Sequence, residues 1–240
     1  MRVLKIEAEG LTTSFRYPFF MVGRQPSFDM PPPATIYGHI CSAAGDWLDP
    51  VLLRFGYWFS HAGTKHEDLE HFHSTEIAGG TFAWGGAKVA KNVEAGVQPT
   101  RREFLLQPRL VLYLANLDLA DAFRSPRYAV VLGRSQDLFT YTRVAEIDLI
   151  ETEQAYIERT LLPGGPARWP GLGMAIAMPR FIDYRRNRQV TFGQYQMLQG
   201  RASQEDLPRH PDHRYLVDPE TEERNGCHRA VIFHTFVDPR

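Results

Sequence analysis

Apolar and polar residues alternate from the start of the chain. Val3, Leu4, Ile6 and Ala8 stand against Lys5, Glu7 and Glu9, a near period-two pattern that predicts a strand with one buried face, and Gly10 ends it. Leu11 to Pro31 keeps no sustained period and reads as a long loop. Pro31-Pro32-Pro33 then punctuates the chain, and Pro33 suits a first helical turn, where its missing N–H is no loss. From Ala34 to Trp47 the apolar positions Ile36, Ile40, Ala43, Ala44 and Trp47 recur at helical spacing, with Gly38, Ser42 and Gly45 small enough to let a neighbour pack closely. Val51 to Phe59, rich in aromatic residues, predicts a second strand.

His61 to Arg101 changes character. It is Gly-rich, with Gly79-Gly80 and Gly85-Gly86, and reads as an extended hairpin or finger standing out from the core. Strand character returns over Phe104 to Ala115, with Pro108 marking an edge or bulge. Leu117 to Arg124 predicts a short helix, Tyr128 to Leu132 is a short apolar run ending at Gly133, and Val144 to Ile150 alternates again as a strand. The order is therefore βαββαβ, an α+β, ferredoxin-like domain over residues 1–150 with a long insertion at about 61–100. Residues 151–240 read as a small β-rich appendage. Leu161 to Gly173 is crowded with Gly and Pro, and Ala175 to Tyr184 and Val190 to Leu198 are strands flanking the polar turn Arg185-Arg186-Asn187-Arg188. Gln204 to Asn225 is polar, and Ala230 to Val237 closes as a last strand.

With 240 residues, 43% of them hydrophobic and 23% charged, the chain can bury an ordinary core, and wholesale disorder is excluded. A net charge of -1 argues against a uniformly positive polyanion binder, but it permits a basic groove balanced by acidic surface elsewhere. Lys occupies only positions 5, 65, 88 and 91 among the 27 basic residues, and the rest are Arg. Arg-rich codon usage accounts for this as well as selection for planar, phosphate-binding forks does. Two cysteines, Cys41 and Cys227, build no disulfide framework. Met1 to Glu9 lacks the apolar run of a secretory signal, and no stretch approaches the ~18 apolar residues of a membrane span, so a cytoplasmic location and no membrane partner are expected.

Enzyme signatures are few. His61, His66, His71 and His73 lie close together without a recognised metal spacing, and neither a Gly-x-Ser-x-Gly elbow nor a phosphate-cradling Gly-rich loop is present, so no metal or cofactor is expected. Signals for nucleic acid are better. Ser14-Phe15-Arg16-Tyr17 joins an Arg to two aromatics, which suits phosphate contact and base stacking; the alternative places Phe15 in the core and Arg16 in solvent. Arg101 and Arg102 stand where the finger rejoins the sheet. In Gly133-Arg134-Ser135-Gln136-Asp137 a Gly backbone lets a ligand approach while Arg134, Ser135 and Gln136 offer donors; the alternative is an ordinary turn stabilised by Asp137.

Four stretches together resemble the fifth family of CRISPR-associated proteins, the guide-RNA handle subunit of type I (Cascade) complexes, with a flavour nearest subtype I-B. They are Leu11-Thr12-Thr13-Ser14-Phe15-Arg16, Pro31-Pro32-Pro33-Ala34-Thr35-Ile36-Tyr37-Gly38, Arg102-Glu103-Phe104-Leu105 and Leu132-Gly133-Arg134-Ser135-Gln136-Asp137, all within residues 1–150. The resemblance implies a non-catalytic subunit with an RNA-recognition-like (RRM-like) domain that caps the 5′ handle of the CRISPR RNA (crRNA). It also implies a protruding β-thumb at about His61 to Thr100. Partners so implied are the backbone and large subunits, target DNA indirectly, and the repeat-processing endoribonuclease as a further candidate. Arg16, Arg101, Arg102 and Arg134 then face phosphate, Phe15 and Tyr17 stack on bases, and Lys88, Lys91 and Trp84 of the thumb meet partners. One subtype of that family cuts precursor crRNA without metal, using Tyr, Lys and His. Here the finger ends in Thr100-Arg101-Arg102 with no Lys-His pair, which leaves Tyr37 and His39 as the candidate acid or base for the endoribonuclease alternative.

Overall fold

The computed structural model describes residues 1–20, 23–76, 81–90, 94–164, 168–207 and 214–238. The fold is mainly β with few helices. Its principal elements in chain order are β1 (Arg2–Gly10), α1 (Pro33–Ala44), β2 (Arg54–Ser60), β3 (Lys65–Glu76), β4 (Glu94–Leu106), β5 (Arg109–Leu114), α2 (Ala120–Arg124), β6 (Phe139–Asp148), β7 (Ile157–Pro163), β8 (Met174–Asp183), β9 (Gln189–Ala202) and β10 (His234–Thr235). The central sheet runs β6-β1-β5-β2-β10, antiparallel throughout, with Leu4 opposite Leu114 and Leu112 opposite Tyr57.

Alternation along these strands decides the layers. Leu4, Ile6, Leu112, Leu114, Phe55, Tyr57 and Phe59 are buried with Ile36, Tyr37 and Ile40 of α1 and Phe123 of α2, so both helices cover one face. The opposite face carries Val3, Tyr113 and Ile147, which pack with Val231 from the C-terminal region. Lys5, 4% exposed, sits on that face and donates to Asp218 Oδ2 at 2.7 Å, while Tyr113 Oη donates to the same oxygen at 2.6 Å. A buried lysine at this position is tolerable only because a fully buried carboxylate pairs with it. That face is thus filled around Val3, Lys5 and Tyr113, while Glu9 and Arg109 at its other end stay exposed.

α1 begins as the triple proline predicts: Pro33 occupies its first turn, and the Pro32 carbonyl accepts from the Thr35 and Ile36 amides. It ends at Ala44 and not at Trp47. Gly45 adopts φ +81°, and its amide donates to the Cys41 carbonyl at 2.8 Å. A Cβ there would run into the Arg127 side chain. Trp47 beyond it stacks on Tyr184, ring centroids 4.2 Å apart.

The stretch expected as one strand with a bulge at Pro108 is two strands in two sheets. β4 ends at Leu106, Gln107 takes φ +49°, and β5 begins at Arg109 in the central sheet. β3 and β4 form a long antiparallel hairpin, from Lys65 opposite Leu105 to Glu76 opposite Glu94, with a further pair of short strands at Thr81–Trp84 and Ala87–Ala90. Residues 157–163, which the Gly- and Pro-rich composition hid, form β7, paired with β9, and Tyr215–Asp218 inside the polar tail is also a strand.

The C-terminal part shares buried residues with the N-terminal part. Leu161, Met178, Phe181, Tyr195, Met197 and Phe236 belong to the same buried cluster as Leu4, Ile36 and Phe55, and β10 adds to the edge of the central sheet. No helix among the described residues is long and apolar enough to cross a membrane.

Candidate nucleic-acid interface

Two hairpins approach each other over one face of α1. β3–β4 comes from one side and β8–β9 from the other, and the Gly133 loop and the Ser14–Pro18 segment close the remaining walls around a cleft of about 620 Å³. Thr35, Gly38 and Ser42 supply its floor. Their i, i+3, i+7 spacing puts them on one face of α1, and a Cβ on Gly38 would meet nothing within 4 Å, so the floor is open and small. Arg16, Arg102, Arg134 and Arg188 line this cleft, and no carboxylate does so among the described residues.

The four arginines are not equivalent. Arg102 donates through Nε to Glu70 at 2.6 Å, and Arg134 through Nη1 to the other oxygen of Glu70 at 3.2 Å. Arg134 also donates to Asp137, through Nη2 at 2.9 Å and through its backbone amide at 2.8 Å, and its guanidinium lies 5.6 Å from the centre of the Phe104 ring. Both arginines are thus largely committed within the protein, where they tie the hairpin base to the Gly133 loop. Arg16 and Arg188 are exposed, and neither side chain has an ion pair or hydrogen bond among the described residues. They are the free cations of the cleft.

Local backbone places each of these groups. Gly133 has φ +109°, and a Cβ would stand 2.6 Å from Thr13 Oγ1 and 2.9 Å from the Ser14 carbonyl, so only glycine lets the loop close against the N-terminal segment. Asp137, fully buried, holds the loop by accepting from Thr12 Oγ1 at 2.9 Å and from Arg134. Arg188 follows Asn187 in the tip of the β8–β9 hairpin, φ +58° and +48°, with the Gln189 amide donating to the Arg186 carbonyl at 2.9 Å. Two successive left-handed residues are what a tight, twist-matched hairpin turn requires.

Several residues expected at the interface are placed otherwise. Phe15 is 3% exposed and packs edge-on against Phe59 with centroids 5.5 Å apart, so its ring belongs to the core and is not offered to a base. Tyr17 spends one ring face on Phe28, 3.8 Å away. Arg101 is exposed, but it alternates with Arg102 along β4, pairs in register with Leu69 and Arg24, and lies outside the cleft. Ser135 and Gln136 are exposed on the Gly133 loop without lining the cleft. Lys88 is exposed on the short strand Ala87–Ala90, whereas Lys91 and the side chain of Trp84 lie outside the described residues. Arg188 was missed. Its signal was the Arg-Arg-Asn-Arg turn, read only as a connector between strands.

Tyr37 is an interior group, whereas His39, 4% exposed, stands where α1 borders the cleft. Burial raises the Tyr37 hydroxyl above its ordinary pKa, and that hydroxyl donates to the Leu48 carbonyl at 2.6 Å. Burial holds His39 below the usual imidazole value, partly offset by a hydrogen bond with the Val131 carbonyl at 2.9 Å; its other ring nitrogen meets Tyr141 Oη, also at 2.9 Å. No group of three or more His, Cys, Asp or Glu able to hold a metal is assembled among the described residues.

No family model matches the sequence, and no curated protein matches it. Solved structures do. A chain of a "CRISPR RNA-guided surveillance complex" matches over 88% of this chain and 95% of its own length, at 16% identity and a TM-score of 0.51. A CRISPR protein from Archaeoglobus fulgidus matches over 98% and 100% at 10% identity and a TM-score of 0.48. A chain of the type III-B Cmr-beta assembly bound to cognate target RNA matches over 85% and 86% at 11% identity and a TM-score of 0.44. In fold, this chain is similar to a component of a CRISPR RNA-guided surveillance complex.

Proposed function

We propose that this chain is a non-catalytic subunit of a type I CRISPR RNA-guided surveillance (Cascade) complex, in which it holds the 5′ handle of the crRNA and bridges the backbone and large subunits. The observation that carries the reading is the convergence of Arg16, Arg188, Arg102 and Arg134 on one carboxylate-free cleft at the base of a long hairpin. Guanidinium forks are suited to phosphate oxygens, and a groove of about 620 Å³ floored by the small side chains of Thr35, Gly38 and Ser42 suits a single strand. The likeness of fold supports the same assignment.

The strand order β6-β1-β5-β2, with α1 and α2 on one face, is read here as ferredoxin-like, and the β3–β4 hairpin as the thumb. The RNA path differs from that of an open RRM sheet, because the face away from the helices is filled by Lys5, Tyr113, Asp218 and Val231. The handle therefore runs along the helix side, between the hairpins. The non-catalytic reading is supported by the burial of Tyr37 and by the engagement of both His39 ring nitrogens with the Val131 carbonyl and Tyr141 Oη, since a general acid or base must reach the proton it transfers.

Binding of 5′-labelled single-stranded handle RNA to the full chain, measured across a salt series, tests the reading. Arg16→Ala and Arg188→Ala are each expected to weaken binding several-fold and to lower the slope of log K against log salt by about 0.7, the value for one phosphate of a single strand. An unchanged slope in the double variant refutes the assignment. Incubating the chain with labelled repeat RNA in EDTA is expected to give no product, and a specific cut overturns the non-catalytic reading.

A further inference from the structure

Aromatic rings left in solvent stand at the rim of the cleft. Pro18 lines the cleft, and Phe19 beside it is 73% exposed. Scattered exposed apolar residues are ordinary on any surface. Phe19 is set apart by its partner, for it lies nearly parallel to Phe192, with centroids 5.4 Å apart and planes 20° off parallel. Phe192 is two residues from Val190 on β9, so it shares a strand face with a residue that lines the cleft. The loop that carries Phe19 is pinned from behind: Tyr17 stacks on Phe28 at 3.8 Å and meets Phe20 edge-on at 6.2 Å. One face of Phe19 is against Phe192, and its large exposure leaves the other open.

We propose that the Phe19–Phe192 pair is a stacking platform for an unpaired base of the strand whose phosphates lie between Arg16 and Arg188; this rests on the RNA-binding reading above. A flat ring held parallel to a second ring, continuous with a groove of four arginines, matches the alternation of base and phosphate along a single strand. A protein partner would leave the flanking guanidinium charges unanswered unless it were acidic. Phe15 is buried, and Tyr17 is half-buried against the core with Phe28 on one face and Phe20 edge-on, whereas Phe19 is 73% exposed, so base stacking at this cleft is assigned to Phe19.

The test uses the full chain and single-stranded handle RNAs carrying 2-aminopurine at successive positions, with affinity read by anisotropy and stacking by quenching of the base's fluorescence. One position is expected to be quenched. Phe19→Ala should abolish that quench and weaken binding about 5- to 150-fold, the range for one stacked base, while Phe19→Trp restores both. RNA binding with no quenched position, or with Phe19→Ala unchanged in both readouts, overturns the platform and leaves the arginine cleft standing. Loss of a protein partner on Phe19→Ala, with RNA readouts unmoved, reassigns the ring to a protein interface and also overturns it. Failure of the unaltered chain to bind any RNA removes both readings together.

Discussion

Glu70 stands between Arg102 and Arg134, and its removal should push stability and RNA affinity in opposite directions. In the folded chain its two oxygens take Arg102 Nε at 2.6 Å and Arg134 Nη1 at 3.2 Å, while the Arg134 side chain is only 14% exposed. Glu70→Gln keeps the shape and one acceptor but deletes the charge. A partly buried charged hydrogen bond is worth about 1.5–3 kcal/mol, and the glutamine amide retains part of it, so a loss of about 1–2 kcal/mol is expected. For a chain of this size that lowers the melting temperature by roughly 2–8 °C. The cleft meanwhile gains one unit of positive charge. A carboxylate about 7 Å from a phosphate repels it by about 0.6 kcal/mol at the dielectric of water and about 2.4 at an effective value of 20, before salt screening. RNA affinity in low salt is therefore expected to rise by between about 3-fold and about 60-fold, the span of those two energies, with a steeper salt dependence as Arg102 and Arg134 become available. Thermal melts and anisotropy titrations on one preparation read both effects. A variant that is less stable and binds RNA more weakly refutes the view that Glu70 restrains charge destined for phosphate.

Two further outcomes are expected. Gly133→Ala should cost about 1–3 kcal/mol in urea denaturation and weaken RNA binding, because φ is +109° and the new Cβ would stand 2.6 Å from Thr13 Oγ1; a variant within 0.5 kcal/mol of the parent, on the precision of such comparisons, contradicts the close approach. His234 is held at about 4 by burial, with the Leu161 carbonyl opposing the shift and Arg180 adding to it, and burial lowers His39 as well. Unfolded imidazoles near 6.5 take up protons that these folded ones refuse, so the His234 contribution is full above about pH 6.5 and declines as pH falls toward 4, by up to about 1.4 kcal/mol per unit, and His39 acts in the same direction. His234→Gln should reduce the loss between pH 7 and 5 by about 2 kcal/mol in denaturant titrations, and equal losses in variant and parent argue against a neutral buried imidazole.

Much of the frame was legible in the sequence because local rules govern it. The alternation of Val3 to Glu9 appears as β1, the triple proline starts α1, and Lys65 to Leu106 contains a long hairpin, with Gly85-Gly86 turning its pair of short strands and Gly79-Gly80 outside the described residues. Boundaries failed where a backbone angle decided them. Gly45 at φ +81° stopped α1 before Trp47, and Gln107 at φ +49° sent one apparent strand into two sheets. β7 was hidden because its pairing with β9, from Ile157 opposite Ala202, depends on residues some forty positions away.

The chain's own residues determined that arginine would supply its cations and that glycine would close the 133–137 loop, since residue type and backbone freedom are local properties. Which arginines remained free was decided only by tertiary packing. Arg102 and Arg134 met Glu70 across the hairpin base and Asp137 in the loop, whereas Arg16 and Arg188, more than 170 positions apart in the numbering, met only each other's cleft. The same folding took Phe15 into the core and left Phe19 in solvent. Charge and ring type are written one residue at a time, but their availability depends on what the folded chain brings within 3 or 4 Å, about the reach of a hydrogen bond or van der Waals contact, and no local pattern encodes that.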